Sequence, residues 1–239
     1  MIFVFDFDGV VCDSTDECMV CSWNAWQEWN EKSEFRYKLK DFNPSEIEWF
    51  KPLRPRVRGA GEYYILERSR SEGINIVKQS DYDHLCEKWD DKLSEFKEIF
   101  YKQRSALRQI DLQAWIDLHP VYTEVVSVIQ NLLSSKKLYI ATLKDRESVQ
   151  FILKNVNIII DEQNLFDQSQ ISSKLEALKY IEEKENYKKE NIVLIDDNIT
   201  HLLKPKEAGY NVFLAAWGNI TSEYLQLARV SKINILTSP

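Results

Sequence analysis

The sequence contains little glycine and proline and no long apolar run. Its 239 residues include only 6 glycines and 6 prolines, with 44% hydrophobic and 29% charged residues, a composition typical of a soluble globular protein rich in helix. No apolar run approaches the ~20 residues of a membrane span, so we expect no contact with a membrane. The short apolar run at the start has no basic region before it and is interrupted by Asp6. This argues against a signal peptide and predicts a cytoplasmic location.

Positive charge is scarce as well. Lysine and arginine total 31 against 38 aspartate and glutamate residues, which gives a net charge of −7. Proteins that hold nucleic acid electrostatically usually present a basic face, so we expect no nucleic-acid partner. The length is sufficient for a large core and for a main domain with a subdomain. Seven tryptophans could supply an aromatic surface for self-association, and both a monomer and a homodimer stay open.

Cysteine is limited to four residues. Cys18 and Cys21 form one Cys-x-x-Cys pair, and the sequence has neither a second pair nor suitably spaced histidines, which argues against a structural zinc site. Both residues fall on a predicted helix. We interpret the four cysteines as reduced thiols rather than as a redox site.

Two carboxylates end the first apolar run. The residues before Asp6 are typical of a buried strand, and Gly9 indicates that the backbone turns at Asp8. Ligands of an open parallel sheet bind outside the carboxyl ends of its strands. One carboxylate could therefore bind a metal or attack a substrate while the other moves a proton. The pattern Asp-x-Asp-Gly is also common in ordinary turns.

Residues 14–120 carry almost no strand signal. Ser14 and Glu17 have the spacing of a capping box at a helix start, and Trp23, Trp26 and Trp29 follow at helical spacing. This stripe could line a substrate pocket, although a packing face is the simpler interpretation. The pattern predicts an α-helical unit with helices at about 14–31, 44–50, 62–72, 82–110 and 112–118.

The densest positive cluster lies between these helices. Arg54, Arg56 and Arg58 stand among prolines and glycines, which indicates a loop of defined shape. Such a cluster is often only solvated charge. Guanidinium groups on a shaped loop also suit a phosphate or a carboxylate.

The second half alternates strands and helices. This alternation predicts a parallel sheet with right-handed crossovers, to which the first strand belongs. The helical block is then an insertion into one α/β domain. Strands are predicted at 138–142, 168–171, 192–195 and 211–214, and helices at 123–133, 146–155, 174–184 and 200–208.

Polar residues occupy the ends of these predicted elements. Thr142 ends a strand and could bond an anionic oxygen or cap the next helix. Lys174 begins a helix, where a cation opposes the helix dipole and contributes little to stability. Asp196 and Asp197 end another strand, and two adjacent carboxylates there are unfavourable without a cation nearby.

The order of these signals resembles the four motifs of the haloacid dehalogenase-like (HAD) hydrolase superfamily. The resemblance covers residues 1 to about 13 and 121 to about 218, and Leu165-Phe166-Asp167 is similar to the approach to the third motif. It implies a Rossmann-like core at 1–13 and 121–239. The insertion at 14–120 occupies the place of the α-helical cap of the phosphatase and phosphomutase branches.

The resemblance also implies catalytic roles. Asp6 would be the nucleophile that accepts the phosphoryl group, and Asp8 the general acid and base. An aspartate two residues past the nucleophile is typical of the branches that act on phosphate esters. Thr142 and Lys174 would hold the phosphoryl oxygens.

A Mg²⁺ site is implied as well. Asp6, the backbone carbonyl of Asp8 and Asp197 would bind the ion, and Asp196 would be a ligand or an outer partner. Two positions depart from the family pattern: His201 replaces a common acidic residue, and Leu143 replaces a common asparagine.

We therefore expect a Mg²⁺-dependent phosphatase that acts on a small phosphorylated metabolite. Arg54, Arg56 and Arg58 are expected on a cap loop that faces the cleft, with Arg56 or Arg58 contacting the part of the substrate remote from the phosphate. A phosphomutase of the same superfamily is one alternative. A non-catalytic binding or regulatory module is the other.

Overall fold

The chain folds into two compact units. The computed structural model describes residues 1–135 and 137–239. One unit, here the core unit, consists of Met1–Asp13 and Pro120–Pro239, and the other, here the helical unit, of Ser14–His119. Each is described by itself.

The core unit is built on a parallel sheet. Within the described residues the sheet has six strands in the order β3-β2-β1-β4-β5-β6, and every neighbouring pair is parallel. The strands are β1 (Ile2–Phe5), β2 (Leu138–Ala141), β3 (Leu165–Phe166), β4 (Ile192–Asp196), β5 (Asn211–Ala215) and β6 (Asn234–Leu236). Strands that alternate with helices in a parallel sheet confirm the predicted α/β class.

Helices fill the helical unit and connect the strands of the core unit. None of them, in the residues described, is long and apolar enough to cross a membrane. The α-helices are α1 (Thr15–Trp29), α2 (Pro44–Phe50), α3 (Tyr63–Glu72), α4 (Gln79–Lys88), α5 (Asp90–Ile110), α6 (Leu112–Ile116), α7 (Thr123–Leu133), α8 (Arg146–Asn155), α9 (Lys174–Glu185), α10 (Ile199–Glu207) and α11 (Ser222–Val230).

β1 occupies the centre of the sheet. Its residues Ile2, Val4 and Phe5 are buried, as expected for a strand that is covered on both faces. Phe5 pairs with Ile140 on β2 and with Ile195 on β4. The residues that follow these three therefore meet at the carboxyl edge of the sheet. This edge, beside the first strand, is where sheets of this strand order bind ligands.

Apolar side chains fix the helices against the sheet. Val4 of β1 and Leu194 of β4 belong to one buried cluster with Leu178 of α9 and Leu202 of α10. Burying side chains of this size stabilises a fold by about 1.5–3 kcal/mol each. This packing holds the starts of α9 and α10 at the carboxyl edge of the sheet.

The helical unit is centred on aromatic rings. The ring of Tyr64 on α3 lies 5.8 Å from Trp26 and 5.3 Å from Trp29 of α1, measured between centroids, and 5.6 Å from Phe96 of α5. These separations are those of edge-to-face aromatic pairs. The tryptophan stripe of α1 is therefore a packing face.

The predicted capping box at the start of α1 is wrong. Ser14 occupies the N-cap position, but its side chain makes no capping hydrogen bond. The carboxylate of Glu17 instead accepts hydrogen bonds from Arg104 at 2.7 and 2.9 Å. A capping bond is worth about 1 kcal/mol, whereas leaving the buried Arg104 charge without a partner would cost several times more.

The predicted strand at 168–171 is also wrong. β3 ends just before Asp167, whose side chain accepts a hydrogen bond from the backbone N–H of Ser169 at 2.7 Å. The N–H of Gln170 donates to the carbonyl of Asp167 at 3.0 Å. These bonds close a turn, which an extended strand cannot contain.

Three further elements differ from the sequence prediction. The helix expected at 82–110 is divided at Trp89 into α4 and α5. α11 and β6, near the end of the chain, were not predicted. β6 has only three residues, too few for an alternating pattern to be recognised.

Candidate active site

Lys174 joins the ends of three strands. Asp6 follows β1 and is 6% exposed, and Lys174 at the start of α9 is 3% exposed. The Nζ atom of Lys174 donates to Oδ1 of Asp6 at 2.5 Å and also to the carbonyl oxygen of Ala141. It lies 3.4 Å from Oδ2 of Asp196 on β4. The structure thus brings together three predicted site residues from distant parts of the sequence.

Burial shifts the pKa values of these groups. It raises the pKa of Asp6 to about 6, with Lys174 opposing the shift and the charge of Asp196 adding to it. Burial would also raise the pKa of Asp196, but Lys174 and His201 outweigh it, so that this pKa lies below its ordinary value. The pKa of Lys174 is raised because the two carboxylates outweigh its burial. One ammonium group therefore faces two carboxyl groups, and the neutralisation is incomplete.

A second lysine lies against Asp8. Nζ of Lys144 is 3.1 Å from Oδ1 of Asp8, and the Lys144 side chain is completely buried. The backbone N–H of Lys144 donates to Oγ1 of Thr142 at 3.1 Å, while the N–H of Thr142 continues the sheet by donating to Phe166. The turn after β2 therefore places Thr142 and Lys144 together. The sequence reasoning missed Lys144, although its position two residues after a strand end was a usable signal.

Asp197 lies against the backbone that follows Asp8. Its Oδ2 accepts a hydrogen bond from the N–H of Asn219 at 2.7 Å. A β-carbon on Gly9 would overlap the Asp197 carboxylate, and one on Gly218 would overlap both that side chain and the carbonyl oxygen of Gly9. Gly9 also has a φ of +80°, a conformation that side chains disfavour. Two glycines thus create the space that Asp197 occupies.

His201 supports Asp196. Its Nδ1 lies 3.2 Å from Oδ2 of Asp196, and the N–H of Asn198 donates to Oδ1 at 2.8 Å. Asp6, Asp196 and His201 offer ligand atoms within 4.8 Å of one another. His201, noted in the sequence as a replacement for a common acidic residue, therefore places an imidazole rather than a further carboxylate beside Asp196.

The composition of the site fits a magnesium ion. Four carboxylates and two buried ammonium groups leave two formal negative charges when all six groups are ionised. The groups belong to Asp6, Asp8, Asp196, Asp197, Lys144 and Lys174. A divalent cation would balance this charge, and oxygen is the donor that Mg²⁺ prefers.

The predicted cap arginines make contacts inside the helical unit. Arg56 is 7% exposed, and its Nη2 donates to the carbonyl oxygen of Val77 at 2.7 Å. Nε of Arg58 donates to Glu62 at 2.9 Å. Arg54 and Arg56 lie on a short 3-10 helix. These contacts give Arg56 and Arg58 a part in the stability of the unit, and the predicted role of the three arginines toward a substrate stays a prediction.

The sequence matches that of a known protein family. The family model described as haloacid dehalogenase-like hydrolase matches residues 1–209. Among curated proteins, none matches the chain.

Solved structures show the same fold. A hydrolase from Pseudomonas syringae has a TM-score of 0.61 at 16% identity, over 100% of this chain and 94% of that one. A predicted phosphoglycolate phosphatase from Haemophilus somnus 129PT has a TM-score of 0.62 at 17% identity, over 99% and 93%. A predicted phosphatase from Clostridium acetobutylicum has a TM-score of 0.61 at 14% identity, over 99% and 93%. The likeness confirms the predicted fold, a Rossmann-like core with a helical cap.

Proposed function

Because the chain belongs to the haloacid dehalogenase-like hydrolase family, we propose that it is a Mg²⁺-dependent phosphatase that hydrolyses a small phosphomonoester. The family match confirms the resemblance predicted from the four motifs, and the chain is a hydrolase. The observation that carries the finer proposal is the contact of Lys174 with Asp6 and Asp196 at 2.5 and 3.4 Å. A carboxylate nucleophile beside a fixed ammonium group suits attack on a phosphate dianion.

Asp6 acts first as nucleophile. Its carboxylate oxygen attacks phosphorus, the bond between phosphorus and the ester oxygen breaks, and an aspartyl phosphate forms. Asp8 donates a proton to the departing oxygen, which leaves as an alcohol. Lys174 and Thr142 hold the phosphoryl oxygens during this step, because an ammonium and a hydroxyl group both donate hydrogen bonds to anionic oxygen.

Asp8 acts next as base. It removes a proton from water, the resulting oxygen attacks the same phosphorus, and the bond to Asp6 breaks. Inorganic phosphate is released and both aspartates return to their starting states. One positioned group that serves as acid and then as base contributes on the order of 10²–10⁴ in rate.

The proposal includes Mg²⁺ because the ionised site carries an excess of negative charge. When bound, the ion would mask the negative charge of the phosphoryl group and lower the pKa of the nucleophile. Asp6, the carbonyl oxygen of Asp8 and Asp197 would hold it, and Asp196 would stand beside them. The overlap that a β-carbon on Gly9 would make with Asp197 supports this arrangement, because it places the carboxylate next to the Asp8 backbone.

The substrate is proposed to be small and phosphorylated, with Arg54, Arg56 and Arg58 on a loop that faces it and Arg56 or Arg58 contacting it away from the phosphoryl group. A guanidinium group recognises carboxylate or phosphate through paired hydrogen bonds. The name of one structural neighbour, a predicted phosphoglycolate phosphatase, supports including phosphorylated carboxylic acids among the first compounds tested.

Phosphate release from a panel of phosphorylated metabolites tests the proposal. The wild-type protein should release phosphate from at least one compound with Mg²⁺ present, and a chelator should abolish the release. Asp6→Asn serves as the blank, because an amide cannot attack phosphorus. A folded wild-type protein that releases no phosphate from any compound would contradict the proposal. Conversion of a sugar phosphate to its isomer with an activating bisphosphate would indicate a phosphomutase instead.

A further inference from the structure

We propose that Lys144 is a positioning residue that orients the carboxyl group of Asp8 for proton transfer to the leaving oxygen. The inference rests on the proposed function, in which Asp8 is the acid. It adds a residue that lies outside the four motifs by which the site was predicted.

Burial makes Lys144 dependent on Asp8. The Lys144 side chain has no solvent exposure, whereas 19% of the Asp8 side chain is exposed. A buried ammonium group is unfavourable unless a carboxylate pairs with it, and Asp8 lies 3.1 Å away. Solvent, and a substrate arriving through it, reaches Asp8 rather than Lys144. Lys144 therefore acts on the reaction through Asp8.

The backbone on both sides of this pair is fixed. Lys144 follows β2 in a turn closed by its own N–H bond to Thr142. Asp8 follows β1 in a turn that includes Gly9, whose N–H donates to the carbonyl of Cys12 at 2.7 Å. With both backbones held, the contact of Lys144 with Oδ1 selects the rotamer of Asp8. Oδ1 can accept a hydrogen bond from the ammonium group both when Asp8 is ionised and when its other oxygen carries the proton. Lys174 thus holds Asp6, the proposed nucleophile, and Lys144 holds Asp8, the proposed acid.

The consequence is a loss that depends on the leaving group. An alkoxide must be protonated as it departs, whereas p-nitrophenolate is stable without a proton. Misorienting Asp8 therefore slows formation of the aspartyl phosphate from alkyl phosphates far more than its formation from p-nitrophenyl phosphate. Hydrolysis of the aspartyl phosphate, in which Asp8 is the base, is common to both substrates. A lysine that bound the phosphoryl group would affect both substrates equally, since both carry the same group.

The experiment compares Lys144→Met with the wild-type protein on two substrates. These are p-nitrophenyl phosphate and the alkyl phosphomonoester that the wild type hydrolyses best. We expect kcat/KM for the alkyl ester to fall by on the order of 10² and kcat/KM for the aryl ester to fall less than about threefold. The comparison uses kcat/KM because this quantity reports the steps up to departure of the leaving group and excludes the later hydrolysis of the aspartyl phosphate. The ratio of the two values in one preparation is independent of the fraction of folded protein.

Two further variants test whether Lys144 acts through Asp8 and whether its charge is required. Asp8→Asn should show the same selective loss, and adding Lys144→Met to it should cause no additional loss, because the residues act as one unit. Lys144→Arg keeps the charge and should recover at least about tenfold of the alkyl activity, and a Lys144→Arg value equal to that of Lys144→Met would overturn the proposal. Calorimetric Mg²⁺ affinity should be unchanged in Lys144→Met, since the lysine contacts the Asp8 side chain and not its carbonyl.

The outcomes separate the inference from the function on which it rests. Equal losses on the two substrates, or a raised KM for both, would assign Lys144 to phosphoryl binding and overturn the inference alone. A wild-type protein that hydrolyses neither substrate nor any other phosphomonoester would overturn the proposed function and the inference together. A selective loss in Lys144→Met supports both.

Discussion

The Asp6 carboxyl group holds its proton more tightly in the folded chain than in the unfolded chain. Burial raises its pKa from 3.8 to about 6. Its contribution to the free energy of unfolding is therefore fully present below pH 3.8 and is lost as the pH rises through about 6. The proposed role of Asp6 as nucleophile requires an ionised carboxylate, so at neutral pH and without a metal ion the protein would carry an unfavourable buried charge at this residue.

Magnesium should relieve this charge in a pH-dependent manner. Below about pH 6 the ion must displace the proton of Asp6, and above it the carboxylate is already free. We therefore expect the rise in melting temperature on adding MgCl₂ to be larger at pH 8 than at pH 5. Differential scanning fluorimetry measures both. Asp6→Asn is the control and should show a small rise at either pH, and an equal rise at both pH values in the wild type would count against the prediction.

A second prediction at the scale of single residues concerns the close approach of Gly9 to Asp197. Gly9→Ala should weaken Mg²⁺ binding by at least about tenfold, because its β-carbon would displace Asp197. Gly73 is a matched control: its φ of +67° is also left-handed, but a β-carbon there meets nothing within 4 Å. Both substitutions introduce backbone strain of about 1–2 kcal/mol. Isothermal titration calorimetry should show normal Mg²⁺ affinity for Gly73→Ala, and a similar loss in both variants would contradict the prediction.

The positions of Asp6, Thr142 and Asp196 could be predicted because each ends an apolar segment, and that of Lys174 because it begins a helix. Parallel strands bring their carboxyl ends to one edge, so the sequence order of these residues implied their proximity. Lys144 stands two residues after a predicted strand end, but its contact with Asp8 could not be predicted. Its partner lies in a different segment, and nothing in the local sequence indicates which carboxylate a buried lysine contacts.

At the scale of elements, one buried ion pair joins α1 to α5. The side chains of Glu17 and Arg104 are 0% and 4% exposed, and two hydrogen bonds connect them. The same carboxylate accepts a bond from Cys21 at 2.9 Å. Burial, with the nearby charge of Glu17, raises the pKa of this thiol well above its ordinary value. Cys21 is therefore a poor thiolate, and all four cysteines are free thiols in buried positions.

Removing the charge of Glu17 should destabilise the helical unit strongly. Glu17→Gln leaves Arg104 as a buried charge with a weaker partner, and we expect a loss of about 3–5 kcal/mol in the free energy of unfolding. Glu72→Gln breaks the ion pair with Arg68, in which both side chains are 37% exposed, and should cost less than about 1 kcal/mol. Urea denaturation followed by tryptophan fluorescence measures both, and comparable losses would contradict the expectation.

The elements themselves were predictable to different degrees. α7 and α8 coincide with the expected helices because each carries an apolar stripe at helical spacing. β3 was misplaced because a two-residue strand offers no periodicity. Glu17 was misassigned because spacing identifies a capping box only when the side chain has no stronger partner elsewhere. A local sequence pattern does not indicate contacts between residues that are far apart in the chain.

At the scale of the whole molecule, the residues proposed for catalysis and the residues proposed for substrate recognition belong to different units. The four aspartates, Thr142 and both lysines of the site belong to the core unit, and the three arginines belong to the helical unit. Substitutions in the core unit should therefore alter turnover of every phosphomonoester. Substitutions of the arginines should alter KM for the true substrate alone.

Alanine at Arg54, Arg56 or Arg58 tests this separation. Each variant should raise KM for the preferred metabolite, by about tenfold for an arginine that makes one charged contact, while p-nitrophenyl phosphate is still turned over. Glu62→Gln is the matched control for Arg58, since it removes the partner at 2.9 Å and keeps the arginine. If Glu62→Gln reproduces the effect of Arg58→Ala, or if both substrates lose equally, the arginine acts on stability rather than on the substrate.

The insertion of the helical unit directly after β1 has a consequence for biosynthesis. Phe3 pairs with Leu138 on one side and with Val193 on the other, so the central strand leaves the ribosome long before either neighbour. The helical unit, Ser14–His119, is complete before either neighbour of β1 has been made and can form in the meantime. The segment that bears Asp6, the proposed nucleophile, is thus made early and incorporated late, and a nascent chain would expose it to chaperones throughout that interval.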